Sequence, residues 1–304
     1  MRRSSASLWI AALALLASPA LAVDGVREIN QTCAETTGCF VGDTAGFPVT
    51  ITQSGAYRLT SNLVLTSAHA VGISMATSEV SIDLNGFEIR GITDCGDGPG
   101  CTNAGTGKGI VPTSSFLHGH SVRNGSVSGM GLYGVEIGQH GEVKDVRANH
   151  NGGYGIVAGV GSVVVGCVIG RNGQGGISAS VASLVADNAV TLSKGTGAGI
   201  TVGIDSVVRG NTVANGFADG IVAGSASLVT GNTVSSNGGD GIVVGLSARV
   251  TGNVVDSNPT GIRLNDSALN RSAYSDNLID AGTATVVGGV DLGGNLCNGS
   301  TTCP

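Results

Sequence analysis

A glycine followed by an isoleucine recurs along the second half of the chain at nearly constant intervals. The pairs stand at 155–156, 176–177, 199–200, 220–221, 241–242 and 261–262, so the steps are 21, 23, 21, 21 and 20 residues. The repeats are rich in Gly, Val, Ile, Ser, Thr and Asn, and their apolar residues have no helical spacing. Intervals of this size and composition predict a β-solenoid.

Each repeat also carries an asparagine with an aliphatic residue three positions before it and another two positions after it. These asparagines are Asn188, Asn211, Asn232 and Asn253. Cys167 takes the same place one repeat earlier, and Asn277 one repeat later. Side chains alternate between the two faces of a strand, so fixed offsets point the same residue type inward in every coil. We predict stacked aliphatics, an asparagine column that hydrogen-bonds from coil to coil, and glycines in tight or positive-φ turns.

The repeat defines the expected architecture of the chain. Each coil has three short inward-facing stretches, and similar alternating stretches already occur at 57–65 and 80–89. We therefore predict an all-β chain with a three-sheet parallel β-helix of nine or ten coils over 57–286. A segment without the repeat, 23–56, is the expected N-terminal cap, and 287–304 is the expected disulfide-closed tail, because the end coils of a solenoid expose unpaired backbone.

Two corner sequences, SIDLNGFEIRG and VRNGSVSG, together with the later Gly-Ile and Gly-Asn coils, resemble the pectin-lyase-like superfamily. The resemblance covers about residues 56–286 and implies a single-stranded, right-handed parallel β-helix. It also implies a protein that is often exported and often acts on polysaccharides as a lyase, hydrolase or epimerase, although some relatives bind or scaffold. The polygalacturonase catalytic motifs are absent from this sequence, so no catalytic residue is carried over from the family.

The first 22 residues have a basic start, a short apolar run and a small-residue end, which predicts a secretory signal peptide. The expected location is therefore secreted or periplasmic. No later stretch is long and apolar enough to span a membrane. Only 12% of residues are charged and the net charge is −6, which argues against nucleic acid or an anionic membrane as the partner. A monomer is expected.

Six of the seven cysteines form three pairs with identical spacing. The pairs are Cys33 and Cys39, Cys95 and Cys101, and Cys297 and Cys303. In an exported chain this spacing predicts three local disulfides; metal ligation is the less favoured alternative because no histidine stands beside any pair. Cys167, in the asparagine column, is expected to be a buried, unreactive thiol.

Candidate chemistry concentrates in residues 118–154, which hold four of the five histidines of the chain. His118 and His120 would share one face of a strand, which suits a metal. If the protein is an enzyme, we expect Glu136, His140 or His150 to act as acid or base and Arg147 to bind a sugar carboxylate. The alternative, a solvated polar surface, is preferred.

A second candidate is a pair of carboxylates one coil apart, Asp219 and Asp240. They could bind Ca²⁺, the one cofactor suggested by the sequence, or they could be ordinary Asp-Gly turns bonded to local amides. The turn interpretation is preferred, because a Ca²⁺ site needs about six or more oxygen ligands.

Two functions therefore stand open. The preferred one is a glycan-associated binding or structural protein whose partner is a polysaccharide or cell-surface glycan. It rests on the bland row of residues expected on the outer face of the sheet that begins with the Gly-Ile pair. The alternative is a polysaccharide lyase, hydrolase or epimerase acting on an acidic polysaccharide.

Overall fold

A computed structural model describes residues 25–96, 100–267 and 269–303. The predicted signal peptide lies outside these residues. The described part of the chain contains one short helix, α1 (Gln31–Thr36). Asn30 caps its N-terminus, and the Asn30 side chain accepts a hydrogen bond from the Cys33 amide.

The remaining elements are short strands, in keeping with the β-branched residues of the repeat. In chain order they are β1 (Val26–Ile29), β2 (Val49–Ile51), β3 (Gly55–Leu59), β4 (Leu63–Val64), β5 (Ile73–Met75), β6 (Val80–Asp83), β7 (Glu88–Arg90), β8 (Ile110–Pro112), β9 (Ser121–Ser128), β10 (Val135–Ile137), β11 (Glu142–Asn149), β12 (Tyr154–Ala158), β13 (Val163–Val165), β14 (Val168–Gly170), β15 (Gly175–Ala179), β16 (Leu184–Ala186), β17 (Ala189–Thr191), β18 (Ile200–Val202), β19 (Val207–Arg209), β20 (Thr212–Ala214), β21 (Ile221–Ala223), β22 (Leu228–Thr230), β23 (Thr233–Ser235), β24 (Ile242–Val244), β25 (Arg249–Thr251), β26 (Val254–Leu264), β27 (Ala273–Ser275), β28 (Leu278–Val287), β29 (Val290–Asp291) and β30 (Leu296–Cys297).

These strands form three parallel sheets that wind around one core. Sheet 1 contains β2, β5, β8, β10, β12, β15, β18, β21, β24 and the ends of β26 and β28. Sheet 2 contains β1, β3, β6, the starts of β9 and β11, and then β13, β16, β19, β22, β25, β27 and β29. Sheet 3 contains β4, β7, the ends of β9 and β11, then β14, β17, β20, β23, the starts of β26 and β28, and β30.

The all-parallel solenoid is therefore confirmed, with about 12 turns rather than nine or ten. The extra turns lie at the ends. The pairing of β1 with β3 places the segment predicted as a cap beside the first coil, and β29 and β30 pair with strands of the coil below them. Neither end carries the Gly-Ile pair by which the sequence marks a coil, so the repeat undercounts them.

The isoleucines of the Gly-Ile pairs stack as predicted. Ile156 lies in register with Ile177, and the column continues coil by coil to Ile262. Each of these side chains is fully buried. Burial of one such side chain stabilises the fold by about 1.5–3 kcal/mol before the entropy cost of ordering it.

The prediction for the glycines of the same pairs is wrong. None of the six has a positive φ. They are glycines because the neighbouring sheet approaches too closely for a side chain: a Cβ on Gly199 would lie 2.4 Å from Cγ1 of Val213, and one on Gly220 would lie 2.4 Å from Cγ1 of Val234. Close packing between sheets 1 and 3, rather than a turn, selects glycine here.

The predicted asparagine column is confirmed. Between sheets 2 and 3, the Nδ2 of Asn211 donates to Oδ1 of Asn232 at 2.9 Å, and Asn232 donates to Asn253 at 3.0 Å. A second column, between sheets 3 and 1, was not predicted; in it Asn151 donates to Asn172 at 3.0 Å. Both columns satisfy buried backbone groups at the corners of the coils.

The three predicted disulfides are present. Cys167 is free and buried, and burial raises the pKa of its thiol to about 11. Disulfides are typical of proteins from oxidising compartments. Within the described ranges, no helix has the length and apolar character needed to cross a membrane.

Candidate functional site

The outer face of sheet 1 carries the row of residues that the repeat predicted to point outward. In register, Glu136 pairs with Val157, Val157 with Ser178, and Ser178 with Thr201. Most of this row is small or aliphatic. It is flanked by an edge column, which reads Lys108, Tyr133, Tyr154, Gly175, Ala198, Asp219, Asp240 and Thr260.

The N-terminal half of this face holds a cluster of four polar and aromatic residues, which we call the lysine–tyrosine cluster. Its members are Lys108, Tyr133, Glu136 and Tyr154. The Nζ of Lys108 lies 2.6 Å from Oε2 of Glu136 and 5.1 Å from the centre of the Tyr133 ring. The rings of Tyr133 and Tyr154 are 6.3 Å apart. A cation, a carboxylate and two aromatic rings thus meet on one surface, with a cation–π contact among them.

The electrostatics of the cluster favour hydrogen-bond donation by tyrosine. Burial, with a smaller contribution from neighbouring Tyr133, raises the pKa of the Tyr154 hydroxyl. That hydroxyl therefore stays protonated at neutral pH. The Lys108 and Glu136 side chains are only 24% and 23% exposed, so their ion pair is partly shielded from water.

The described parts of the loop before Lys108, residues 92–96 and 100–107, stand beside the cluster, and the second leads directly into Lys108. Its disulfide is packed against the body of the helix: Sγ of Cys95 lies 3.3 Å from the carbonyl oxygen of Asn151. A Cβ on Gly173 would lie 2.6 Å from Sγ of Cys101, so glycine is needed for this approach. The Leu132 amide donates a hydrogen bond to the Gly107 carbonyl oxygen at 2.7 Å, so the end of the loop is bonded to the coil of Tyr133.

The C-terminal half of the same face holds Asp219, Asp240 and Arg263. Oδ1 of Asp219 accepts a hydrogen bond from the Asp240 amide at 2.7 Å, and Asp240 forms an ion pair with Arg263. Although burial alone would raise the pKa of Asp240, the hydrogen bond from the Arg263 guanidinium holds it below its usual range. Both contacts join neighbouring coils rather than residues of one turn, and Arg263 is a partner that the sequence did not indicate.

Similar proteins identify the fold. A family model described as right handed beta helix region matches residues 133–279. The chain has the right-handed parallel β-helix fold. No curated protein sequence matches it.

Several solved structures resemble this β-helix. An exopolygalacturonase from Thermotoga maritima is similar with a TM-score of 0.61 and 11% identity, over 91% of this chain and 85% of that chain. The tailspike protein of E. coli bacteriophage HK620, in complex with a pentasaccharide, gives 0.54 and 14%, over 80% and 58%. The periplasmic alginate epimerase gives 0.51 and 16%, over 87% and 81%. The resemblance to pectin-lyase-like proteins is thus confirmed at the level of fold, and the chain spans little more than half of the tailspike.

The β-helix does not bring the four predicted catalytic residues together. Glu136 lies on sheet 1 and Arg147 on the outer face of sheet 3, in a shallow groove of about 250 Å³ beside Asp145. His140 lies at the corner between sheets 1 and 2. His150 lies at the corner between sheets 3 and 1, where its Nδ1 is 2.9 Å from Oδ1 of Asp94. The residues therefore face in different directions, and only Glu136 belongs to the lysine–tyrosine cluster.

His118 and His120 do not converge on a metal position either. His120 is 1% exposed; its Nε2 lies 3.0 Å from the Thr77 carbonyl oxygen, and its Nδ1 accepts from the Gly138 amide. Burial lowers the pKa of His120, so it is a neutral core residue. His118 is exposed and contacts Glu79 at 3.2 Å. Across 25–96, 100–267 and 269–303, no group of three or more His, Cys, Asp or Glu residues could hold a metal ion.

The sequence carried a signal for two residues of the cluster that were missed. Lys108 and Tyr133 stand two positions before the inward residues Ile110 and Val135, the offset that singled out the Asp219 column. Extending the column two coils further toward the N-terminus finds both. Tyr133 precedes a Gly-Val pair instead of a Gly-Ile pair, and the 92–107 insertion comes just before Lys108, so the repeat is less regular at both positions.

Proposed function

We propose that this chain is an exported protein that binds a polysaccharide along the outer face of sheet 1, with the lysine–tyrosine cluster as its main contact surface. The observation that carries the proposal is the placement of Tyr133 and Tyr154 beside the Lys108–Glu136 ion pair. Export is supported by the predicted signal peptide and by the three disulfides.

The cluster has the chemistry that sugars need. An aromatic ring offers an apolar surface to the C–H face of a sugar, while tyrosine hydroxyls, the ammonium and the carboxylate offer donors and acceptors to sugar hydroxyls. The rest of the face is flat and lined with Gly, Ala, Ser, Thr and Val. An extended chain could therefore run along the coils from the cluster toward Arg263 without meeting a bulky side chain.

The geometry gives little support to hydrolysis. Two-carboxylate glycosidases place the carboxyl groups about 5–9.5 Å apart, with the pKa of one raised so that it serves as acid. Glu136 and Asp219 are four coils apart, about 19 Å at the sheet spacing. Asp219 and Asp240 are one coil apart, but the pKa of Asp240 is lowered by Arg263, which is the wrong direction for an acid.

A second candidate function, a lyase or epimerase acting on an acidic polysaccharide, is favoured by one observation. Lys108 could neutralise a sugar carboxylate at the point where Glu136 and the two tyrosines offer groups for proton transfer. Both candidates place the substrate at the same cluster, so one set of variants serves both.

The experiment is a binding titration of the purified chain against a panel of acidic and neutral oligosaccharides. We expect binding to at least one, and a loss of about tenfold or more in Tyr133→Ala, with Arg147→Ala on sheet 3 as the matched control. Product analysis for unsaturated or reducing ends, and for inverted sugar centres by NMR, separates binding from catalysis. Binding that survives Tyr133→Ala and Lys108→Ala, or binding to no glycan in the panel, would refute the proposal.

A further inference from the structure

The outer face of sheet 2 carries a row of residues in unbroken register through the middle of the β-helix. In coil order the row reads Glu142, Val163, Leu184, Val207, Leu228 and Arg249. The four aliphatic side chains are partly exposed, and the two charged ones are exposed. These six side chains reach solvent, whereas Ala186, the next outward residue on β16, is fully buried.

The row is self-complementary. A two-fold axis along the strand direction, passing between β16 and β19, would reverse the coil order of a second copy. Leu184 would then face Val207, Val163 would face Leu228, and Glu142 would face Arg249. Each larger aliphatic side chain meets a smaller one, and each charge meets its opposite, which is what an isologous interface requires.

The neighbouring row brings no like charges together, although its cations face uncharged residues. It reads Arg123, Lys144, Val165, Ala186, Arg209, Thr230, Thr251 and Ser275. In the reversed arrangement Lys144 faces Thr251, Val165 faces Thr230, and Arg209 faces Ala186. No two like charges face each other in either row.

Two protruding loops support the same arrangement. Residues 113–120 precede β9, and residues 265–267 and 269–272 precede β27; these two strands lie equally far from the centre on opposite sides. Each loop presents a large apolar side chain to solvent: Phe116 is 78% exposed and Leu269 is 92% exposed. In the reversed arrangement β9 of one copy faces β27 of the other, so the segments that carry Phe116 and Leu269 approach the same end of the interface.

The size of the face suits a weak interface. Ten strands of sheet 2, from β6 to β29, overlap in this arrangement. At about 4.8 Å between strands and about 10 Å across three residues, these strands present about 480 Å² on each copy. Interfaces that bury less than about 1,200 Å² in total are typical of weak or transient complexes.

We infer that two copies of this chain associate through the outer faces of sheet 2, with their helix axes antiparallel, to form a two-fold symmetric dimer. This inference replaces the monomer expected from the sequence. It is independent of the proposed function, because the lysine–tyrosine cluster lies on sheet 1 and stays open to solvent in the dimer.

The test is a charge exchange followed by sedimentation equilibrium. Glu142 and Arg249 are five coils apart in one chain, about 24 Å, so they do not contact each other within it. We expect the wild type to sediment as a dimer. Glu142→Arg and Arg249→Glu should each weaken dimerisation about tenfold or more, and the double variant should restore it.

The matched control is Thr212→Arg, which adds a charge to the outer face of sheet 3 and should leave the dimer intact. Circular dichroism of each variant verifies the fold. A wild type that is monomeric at about 100 µM, the Kd scale of a weak complex, would overturn the inference. So would a dimer that the exchange neither weakens nor restores, or one that Thr212→Arg dissociates.

Discussion

The asparagine column makes a quantitative prediction about what holds the coils together. Asn232 is 1% exposed, and its side chain contacts the coils on both sides. Its Oδ1 accepts from the amide and from the Nδ2 of Asn211, both at 2.9 Å. Its Nδ2 donates to Oδ1 of Asn253 and to the Val208 carbonyl, both at 3.0 Å. Asn232→Ala removes all of these bonds at once.

The cost follows from the groups that are left behind. A buried hydrogen bond contributes about 1 kcal/mol net, and a buried donor left without a partner costs about 1–3 kcal/mol. The Asn211 amide loses its acceptor and Asn253 loses a donor, so we expect Asn232→Ala to lower the free energy of unfolding by about 3–4 kcal/mol. For a domain of this size that is about 10 °C in melting temperature.

The assay is urea and thermal unfolding followed by far-ultraviolet circular dichroism. Thr233→Ser, the exposed neighbour on sheet 3, is the matched control and should change stability by less than about 0.5 kcal/mol. A loss below about 1 kcal/mol in Asn232→Ala would show that the ladder is not a main source of stability. A loss as large in the control would show that the effect is not specific to the column.

Two further predictions concern single side chains. Thiol titration in denaturant should find one free cysteine per chain, Cys167. The thiol of the native protein should react far more slowly, because burial raises the pKa of Cys167 to about 11. Three or more free thiols would contradict the disulfide assignment. Asp240→Asn should lower stability at neutral pH, because the Arg263 guanidinium holds the pKa of Asp240 below the usual range of an aspartate. A carboxyl with a lowered pKa stabilises the fold above its unfolded pKa, and this contribution is lost as the pH falls through its folded pKa. The difference in stability between wild type and Asp240→Asn should therefore shrink below about pH 4, and it should not respond to Ca²⁺. A rise in melting temperature with Ca²⁺ that is seen in the wild type and absent from the variant would favour the metal site instead.

The features that could be predicted from the sequence are those that repeat with the coil. The isoleucine stack and the asparagine column recur every 20 to 23 residues, so their register follows from counting. The glycines were assigned the wrong cause, because a clash with Val213 or Val234 involves the adjacent sheet and leaves no local signature. The second asparagine column was missed because Ser193 and Gly216 interrupt it.

The candidate site was harder to predict, for a geometric reason. One coil of about 21 residues passes through three sheets, so residues about ten positions apart, such as His140 and His150, lie on different faces even though they are close in sequence. Residues of one site are instead about one full coil apart, as Tyr133 and Tyr154 are. Lys108 stands 25 residues before Tyr133, because that coil contains the longer segment 113–120 between β8 and β9.

The most direct test of the proposed function is a crystal structure of the protein with an oligosaccharide from the binding panel. The account predicts sugar rings along the outer face of sheet 1, in contact with Tyr133 and Tyr154 and within hydrogen-bond distance of the Lys108–Glu136 pair. An oligosaccharide bound on sheet 2 or sheet 3, with the lysine–tyrosine cluster still in contact with solvent alone, would contradict it.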